Sequence, residues 1–158
     1  MIFGEIKTES SLNGILSSSL ILYENKNIIK VKKGTIINKN LINLLLKNNI
    51  KSVTCAKLDD QDIEENEAVY EISKNILNTE QSNLTIQNPR QGRCNIISDI
   101  NGLLMFDPEQ LFLINSVTDE IGIASLKSYS YVKKNQVIAS IKAIPFAINK
   151  EVLKKIIK

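Results

Sequence analysis

The chain of 158 residues contains no histidine and no tryptophan, and it has only two cysteines. The absence of histidine removes the side chain that proteins use most often as a general base and as a metal ligand. Cys55 and Cys94 stand far apart without a CxxC pair, so a zinc site would have to combine carboxylates with isolated thiols. Neither a GxxxxGK phosphate loop nor a GxGxxG fingerprint occurs. The sequence therefore shows no complete active site and predicts no catalytic or metal-ligating residue, although a partner could still complete an enzyme.

Charge and hydropathy also exclude classes of partner. The net charge is +3 and the lysines are scattered. No basic tract with interleaved aromatics favours nucleic-acid binding. No apolar run reaches the length of a membrane span, and the N-terminus lacks the pattern of a secretion signal. With 43% hydrophobic residues the chain can bury a core. We therefore expect a cytoplasmic protein that binds neither nucleic acid nor membrane.

The scarcity of arginine is the most informative feature of the composition. The chain has eighteen lysines but only two arginines, Arg90 and Arg93, in the segment Pro-Arg-Gln-Gly-Arg-Cys-Asn at 89–95. Such a bias is typical of A/T-rich codon usage, which replaces arginine wherever lysine suffices. Guanidinium binds phosphate or carboxylate through a planar fork that an ammonium cannot copy. The pair predicts an anion-binding segment, and the alternative is that it only ties down a loop.

The elements predict an α+β fold with a β-rich core and about four flanking helices. Helix starts are expected at Asn38, at Asp62 and at Asp107-Pro108, and a final amphipathic helix is expected near the C-terminus. Asn101-Gly102 predicts a hairpin turn between two neighbouring strands.

An internal echo suggests two related β-units. Residues 31–37 match residues 132–138, each with a Lys-Lys turn, and Gly-Ile-Leu-Ser at 14–17 matches Gly-Ile-Ala-Ser at 122–125. We expect their strands to pair into one small barrel or sandwich. The chain is then a single domain over 1–158, with possible subdomains 1–77 and 92–158 joined by the polar linker 78–91.

Lys142 is a second candidate ligand residue. It lies within the apolar strand pattern that leads to Pro145. A lysine there must either turn to solvent or find an anion. Both interpretations remain open from the sequence.

Several segments, taken in order, resemble a known family. They are Gly14 to Leu20, Lys32 to Ile37, Ile50 to Val53, Gly92 to Asn95, Asn101 to Leu104, Ile123 to Leu126 and Lys142 to Ala147. In this order they are similar to the N-terminal region of bacterial molybdopterin-binding proteins, which are related to the molybdenum-insertion and molybdopterin biosynthesis enzymes. In that family the pterin-binding α/β domain lies downstream, and nothing here matches its glycine-rich loops.

The resemblance implies an accessory domain in molybdenum cofactor biosynthesis or delivery, non-catalytic in isolation, with a downstream domain or partner subunit. It implies molybdopterin, or another anionic small molecule, as ligand. Arg93, Asn95 and Lys142 lie in matching segments and suit a pterin phosphate, and Arg90 joins them as a predicted ligand residue. The alternative is a structural or protein-interaction module with no small-molecule ligand.

Overall fold

The computed structural model describes residues 1–77 and 83–157, which divide into two compact units, Met1–Asp60 and Gln61–Lys158. The described residues form four α-helices and thirteen strands in several antiparallel sheets. The expected α+β class with four helices is confirmed. No helix in the described ranges has both the length and the apolarity needed to cross a bilayer.

The first unit contains five strands and one α-helix. They are β1 (Ile2–Lys7), β2 (Ile15–Leu16), β3 (Leu20–Glu24), β4 (Asn27–Val31), α1 (Lys39–Lys47) and β5 (Ser52–Lys57). β5 is the central strand of a sheet in the order β1-β5-β2, and β3 and β4 form a separate hairpin. Their core buries Leu22, Ile37 and Leu45 completely.

Local signals account for most of this unit. Asn25 and Lys26 both have positive φ, which is the geometry of a two-residue hairpin turn. The Asn38 side chain accepts a hydrogen bond from the Leu41 amide and begins α1, as predicted. Asn49, at φ +58°, follows its end.

The second unit contains eight strands and three helices. They are β6 (Asp62–Glu64), α2 (Glu65–Ile76), β7 (Leu84–Ile86), β8 (Arg93–Ser98), β9 (Gly102–Leu103), α3 (Pro108–Asn115), β10 (Ile121–Ser125), β11 (Tyr131–Val132), β12 (Val137–Ala143), β13 (Ala147–Asn149) and α4 (Lys150–Ile156). The main sheet has the order β10-β12-β8-β7, and every pair in it is antiparallel. α2 packs on one face of it, where Val69 and Ile72 meet Cys94, Ile96 and Ile141 in the core. The opposite face of β8, β12 and β10 is the outer face.

Two local predictions in this unit were wrong because distant pairing prevailed. The expected helix start at Asp62 is instead a strand, since β6 pairs with β13, and α2 begins later with Glu64 as its N-cap. The expected hairpin across Asn101-Gly102 does not form, because β9 pairs with β11 rather than with β8. The start of α3 is as predicted: Asp107 caps it and Pro108 is its first residue.

The two echoing segments occur in different sheets, so their strands do not pair into one barrel. Residues 14–17 lie beside 34–37 in the first unit, whereas β10 pairs with β12 in the second. The described residues form no closed barrel, since each sheet has open edges. Of the predicted linker 78–91, residues 78–82 lie outside the described residues, and residues 83–91 enter β7 and the turn before β8. The two compact units meet in sequence at Asp60 and Gln61.

Candidate functional site

The two arginines flank a two-residue hairpin turn at the start of β8. The Arg90 amide donates to the Arg93 carbonyl at 2.9 Å, and the Arg93 amide donates back at 3.1 Å. Gln91 and Gly92 between them have φ of +52° and +66°, the signature of a type I′ turn. Residues that exchange both bonds stand directly opposite each other, so their side chains leave the same face of the ribbon. The turn therefore places two guanidinium groups side by side.

Lys142 extends this pair into a row across the sheet. In the register of β8 and β12, Arg93 stands opposite Lys142, and in that of β12 and β10 Lys142 stands opposite Gly122. These pairings place three cations in one row that crosses neighbouring strands: Arg90, Arg93 and Lys142. Neighbouring strands lie about 4.8 Å apart, and like charges directly opposite each other are destabilising. We call this row the cation row.

A polar row runs beside it, one pleat further along the strands. Ser140 donates through its hydroxyl to Asn95 Oδ1 at 2.6 Å, and Asn95 Nδ2 donates to Gln87 Oε1 at 3.0 Å. The chain of hydrogen bonds fixes the orientation of the Asn95 amide. The Gln87 Nε2 group stays at the exposed end as a donor. The predicted ligand residue Asn95 is thus adjacent to Arg93 but is held by two protein neighbours.

The turn is held by side chains of α2 and β12. The Gly92 amide donates to Asn66 Oδ1 at 2.9 Å, and the Lys142 ammonium donates to the Gln91 carbonyl at 2.6 Å. A Cβ added at Gly92 would lie 2.7 Å from Glu65 Oε2 and 3.0 Å from Lys142 Nζ. Lys142 therefore uses one of its three N–H donors to hold the turn, and the Glu65 carboxylate lies close by. Its role is partly structural.

The guanidinium groups themselves are not so engaged. Neither the Arg90 nor the Arg93 side chain forms a hydrogen bond or ion pair with any residue in the described ranges. Both are exposed and line a shallow depression of about 580 Å³, whose other lining residues are Gln87, Asn88, Gln91 and Asn95. No acidic side chain contributes to this lining among the described residues. The arginines thus face an open concavity instead of lying against carboxylates.

Arg93 also borders a second depression of about 510 Å³ on the outer face of β12 and β10. Its opposite wall is the segment that joins α3 to β10, which carries Thr118 and Asp119. Asn115 holds that wall to the sheet: Ile123 N donates to Asn115 Oδ1 at 2.8 Å, and Asn115 Nδ2 donates to Ile123 O at 2.9 Å.

Cys94 lies between Arg93 and Asn95 but on the inner face. Its thiol is buried and donates to the Gln87 carbonyl at 3.2 Å. Burial raises the pKa of the Cys94 thiol, and a hydrogen bond with Ser73 opposes the rise only in part. The thiol is therefore protonated at neutral pH and is no nucleophile. The described residues contain no cluster of three or more histidine, cysteine or carboxylate side chains able to hold a metal ion.

Comparisons with protein-family models, with curated proteins and with solved structures find no match to this chain. All four predicted ligand residues come together on one face. Sequence reasoning missed Gln87, Ser140 and Asp119, since none belongs to a motif and each joins the site through strand pairing or a turn.

Proposed function

We propose that the Gln61–Lys158 unit binds a phosphate-bearing anion at Arg90 and Arg93, as a non-catalytic accessory domain. The ligand is molybdopterin, the compound implied by the sequence resemblance, and the process is molybdenum cofactor biosynthesis or delivery. The observation that carries the proposal is the pair of exposed guanidinium groups, adjacent in register and without an ion pair among the described residues.

The physical argument rests on charge. The Cβ atoms of Arg90 and Arg93 stand about 5 Å apart on facing positions, so the two like charges repel each other, and Lys142 stands on the next strand. A phosphate between Arg90 and Arg93 reverses this repulsion and accepts from both forks. Each charge-assisted hydrogen bond contributes about 1.5–3 kcal/mol. The type I′ turn fixes the backbone positions of both arginines before the ligand arrives, which limits the backbone entropy lost on binding.

One observation favours the alternative, a protein-interaction module. On the outer face of the β3–β4 hairpin, Ile21, Tyr23 and Ile28 stand together and are 62%, 62% and 69% exposed. Exposed apolar side chains that adjoin one another are typical of contact surfaces. This face belongs to the first unit, so a contact role there is compatible with anion binding in the second.

The test is calorimetric titration with molybdopterin of the wild type, Arg93→Ala and Arg93→Lys. The matched control is Lys127→Ala, which removes one exposed cation beyond the far end of β10. We expect Arg93→Ala to weaken binding by about tenfold to a hundredfold, the equivalent of one charge-assisted bond. Arg93→Lys keeps the charge but loses the planar fork, so we expect its affinity to lie between those of the wild type and Arg93→Ala. The control Lys127→Ala should stay within about twofold of the wild type.

Two results would overturn the proposal. One is binding that Arg93→Ala leaves unchanged, which would place the ligand elsewhere. The other is the absence of saturable binding by the wild type. In that case the domain is a scaffold, and the search moves to the protein that covers the hairpin face of Ile21, Tyr23 and Ile28.

A further inference from the structure

The second depression has a floor without large side chains. In the register of β10 and β12, Gly122 faces Lys142 and Ala124 faces Ser140, so these positions share the outer face. A Cβ placed at Gly122 would have no heavy atom within 4 Å. The outer face of the β10 backbone is therefore uncovered at Gly122, next to the cation row. Such a floor admits a flat ring lying against the sheet.

The two walls of this depression carry opposite charges. Arg93 and Lys142 form one wall, and Asp119 lies in the other. The Asp119 carboxylate forms no hydrogen bond or ion pair with any residue of the described ranges, including these two cations. It is the only acidic side chain in the lining of this depression among the described residues. An acceptor and a cationic wall thus face one open space without neutralising each other.

The distance from Arg93 to the floor suits a small bipartite molecule. Arg93 on β8 and Gly122 on β10 are two strands apart, about 10 Å at the usual spacing, with Lys142 on the strand between them. A volume of about 510 Å³ lies within the range of small-molecule sites. The span is comparable to that of a nucleoside monophosphate.

We propose that this depression selects a phosphorylated ligand whose ring presents two adjacent N–H donors, with the phosphate at Arg93 and the donor edge at Asp119. The assignment rests on the anion-binding function proposed above and specifies its ligand class. A carboxylate accepts two parallel N–H bonds through its two oxygens. The 2-amino-4-oxo-pyrimidine edge supplies that pair, and guanine and pterin rings share it. A ring that presents only one donor at this edge leaves one carboxylate oxygen without a bond.

The ring preference is tested with three defined probes: GMP, IMP and ribose 5-phosphate. GMP carries the amino group, IMP lacks it, and ribose 5-phosphate lacks the ring. We expect GMP to bind at least about tenfold more tightly than IMP, since the lost bond is to a charged acceptor. Asp119→Asn removes most of that difference. Arg93→Ala weakens all three ligands by a similar factor.

A steric pair of variants tests the floor. Gly122→Val projects a branched side chain into the depression from a strand position with open space, so the fold tolerates it. Gly4→Val in β1 is the matched control, because that glycine also lies in a strand with nothing within 4 Å of its Cβ position. We expect Gly122→Val to weaken GMP at least about tenfold and to leave ribose 5-phosphate within about twofold, whereas the control changes neither.

The outcomes separate the two proposals. Equal affinity for GMP and IMP, or a difference that survives Asp119→Asn, overturns the ring assignment. If Arg93→Ala still weakens ribose 5-phosphate in that case, the anion site stands alone. If no probe is sensitive to Arg93→Ala, both proposals are refuted. In an NMR titration, we expect the amide signals of Gly122 and Ala124 to shift more with GMP than with ribose 5-phosphate. Equal shifts with the two ligands contradict a ring on this floor.

Discussion

The hydrogen bonds of Asn115 give a prediction whose magnitude follows from the structure. β10 is an edge strand of the main sheet, and Ile123 is its central residue. The Asn115 side chain bonds both the amide and the carbonyl of Ile123, at 2.8 and 2.9 Å, as a neighbouring strand would. Asn115→Ala leaves both backbone groups without that partner. At about 0.5–1.5 kcal/mol for each bond, we expect the free energy of unfolding to fall by about 1–3 kcal/mol.

The Asn115→Asp variant makes one of the two bonds depend on pH. An ionised carboxylate accepts from the Ile123 amide but opposes its oxygen to the Ile123 carbonyl, whereas a protonated carboxyl donates to that carbonyl and restores the pair. The folded pKa of the new carboxyl is therefore raised above its unfolded value of about 3.9. Above that folded pKa the variant carries its full deficit, and stability relative to the wild type recovers as the pH falls through it.

Urea unfolding of wild type, Asn115→Ala and Asn115→Asp measures these differences at about pH 7 and at about pH 4, close to the unfolded pKa of an aspartate carboxyl. Hydrogen exchange of the Ile123 amide supplies a local readout that does not require both units to unfold together. The reasoning is refuted if Asn115→Ala lowers stability by less than about 0.5 kcal/mol and leaves that amide equally protected. A deficit of Asn115→Asp that does not change with pH contradicts the lost-donor explanation.

Two further predictions concern the arginine turn. Gly92→Ala combines positive φ with a Cβ 2.7 Å from Glu65 Oε2, so we expect a loss of about 2 kcal/mol in urea unfolding and weaker anion binding; unchanged stability would contradict the left-handed geometry. Gln91→Asn places the residue that type I′ turns prefer at φ +52°, and we expect a gain of about 0.5 kcal/mol without loss of anion affinity. A loss of stability in that variant would indicate that the Gln91 side chain itself holds the turn.

The fold was predictable from sequence where the signal is local. Asn38 and Asp107-Pro108 begin helices as expected, because a side-chain cap and a fixed φ act within one turn. Asp62 carries an equally good local signal, yet it enters β6 because the partner strand β13 supplies a ladder from more than eighty residues away. No local pattern contains that pairing. Asn101-Gly102 fails for the same reason.

The site was likewise predictable where it depends on composition, and was not predictable where it depends on strand pairing. The scarcity of arginine was enough to select Arg90 and Arg93, and the structure places them on either side of one turn. That Lys142 stands beside Arg93 follows only from the register of β8 and β12, which depends on contacts nearly fifty residues apart. Asp119 sits in a connection with no motif of its own. Only the folded structure brings Asp119 into the same depression as the cation row.

The isolation of both arginines in one turn has a practical consequence. Dicarbonyl reagents that condense with guanidinium do not form the same adduct with lysine ammonium groups. In this chain every such adduct must form at Arg90 or Arg93, since the sequence holds no other arginine. The rate of modification therefore reports on a single place in the molecule, without a tag and without mutation. Any compound that slows the reaction can be ranked by its occupancy of that turn, which makes the native protein its own sensor.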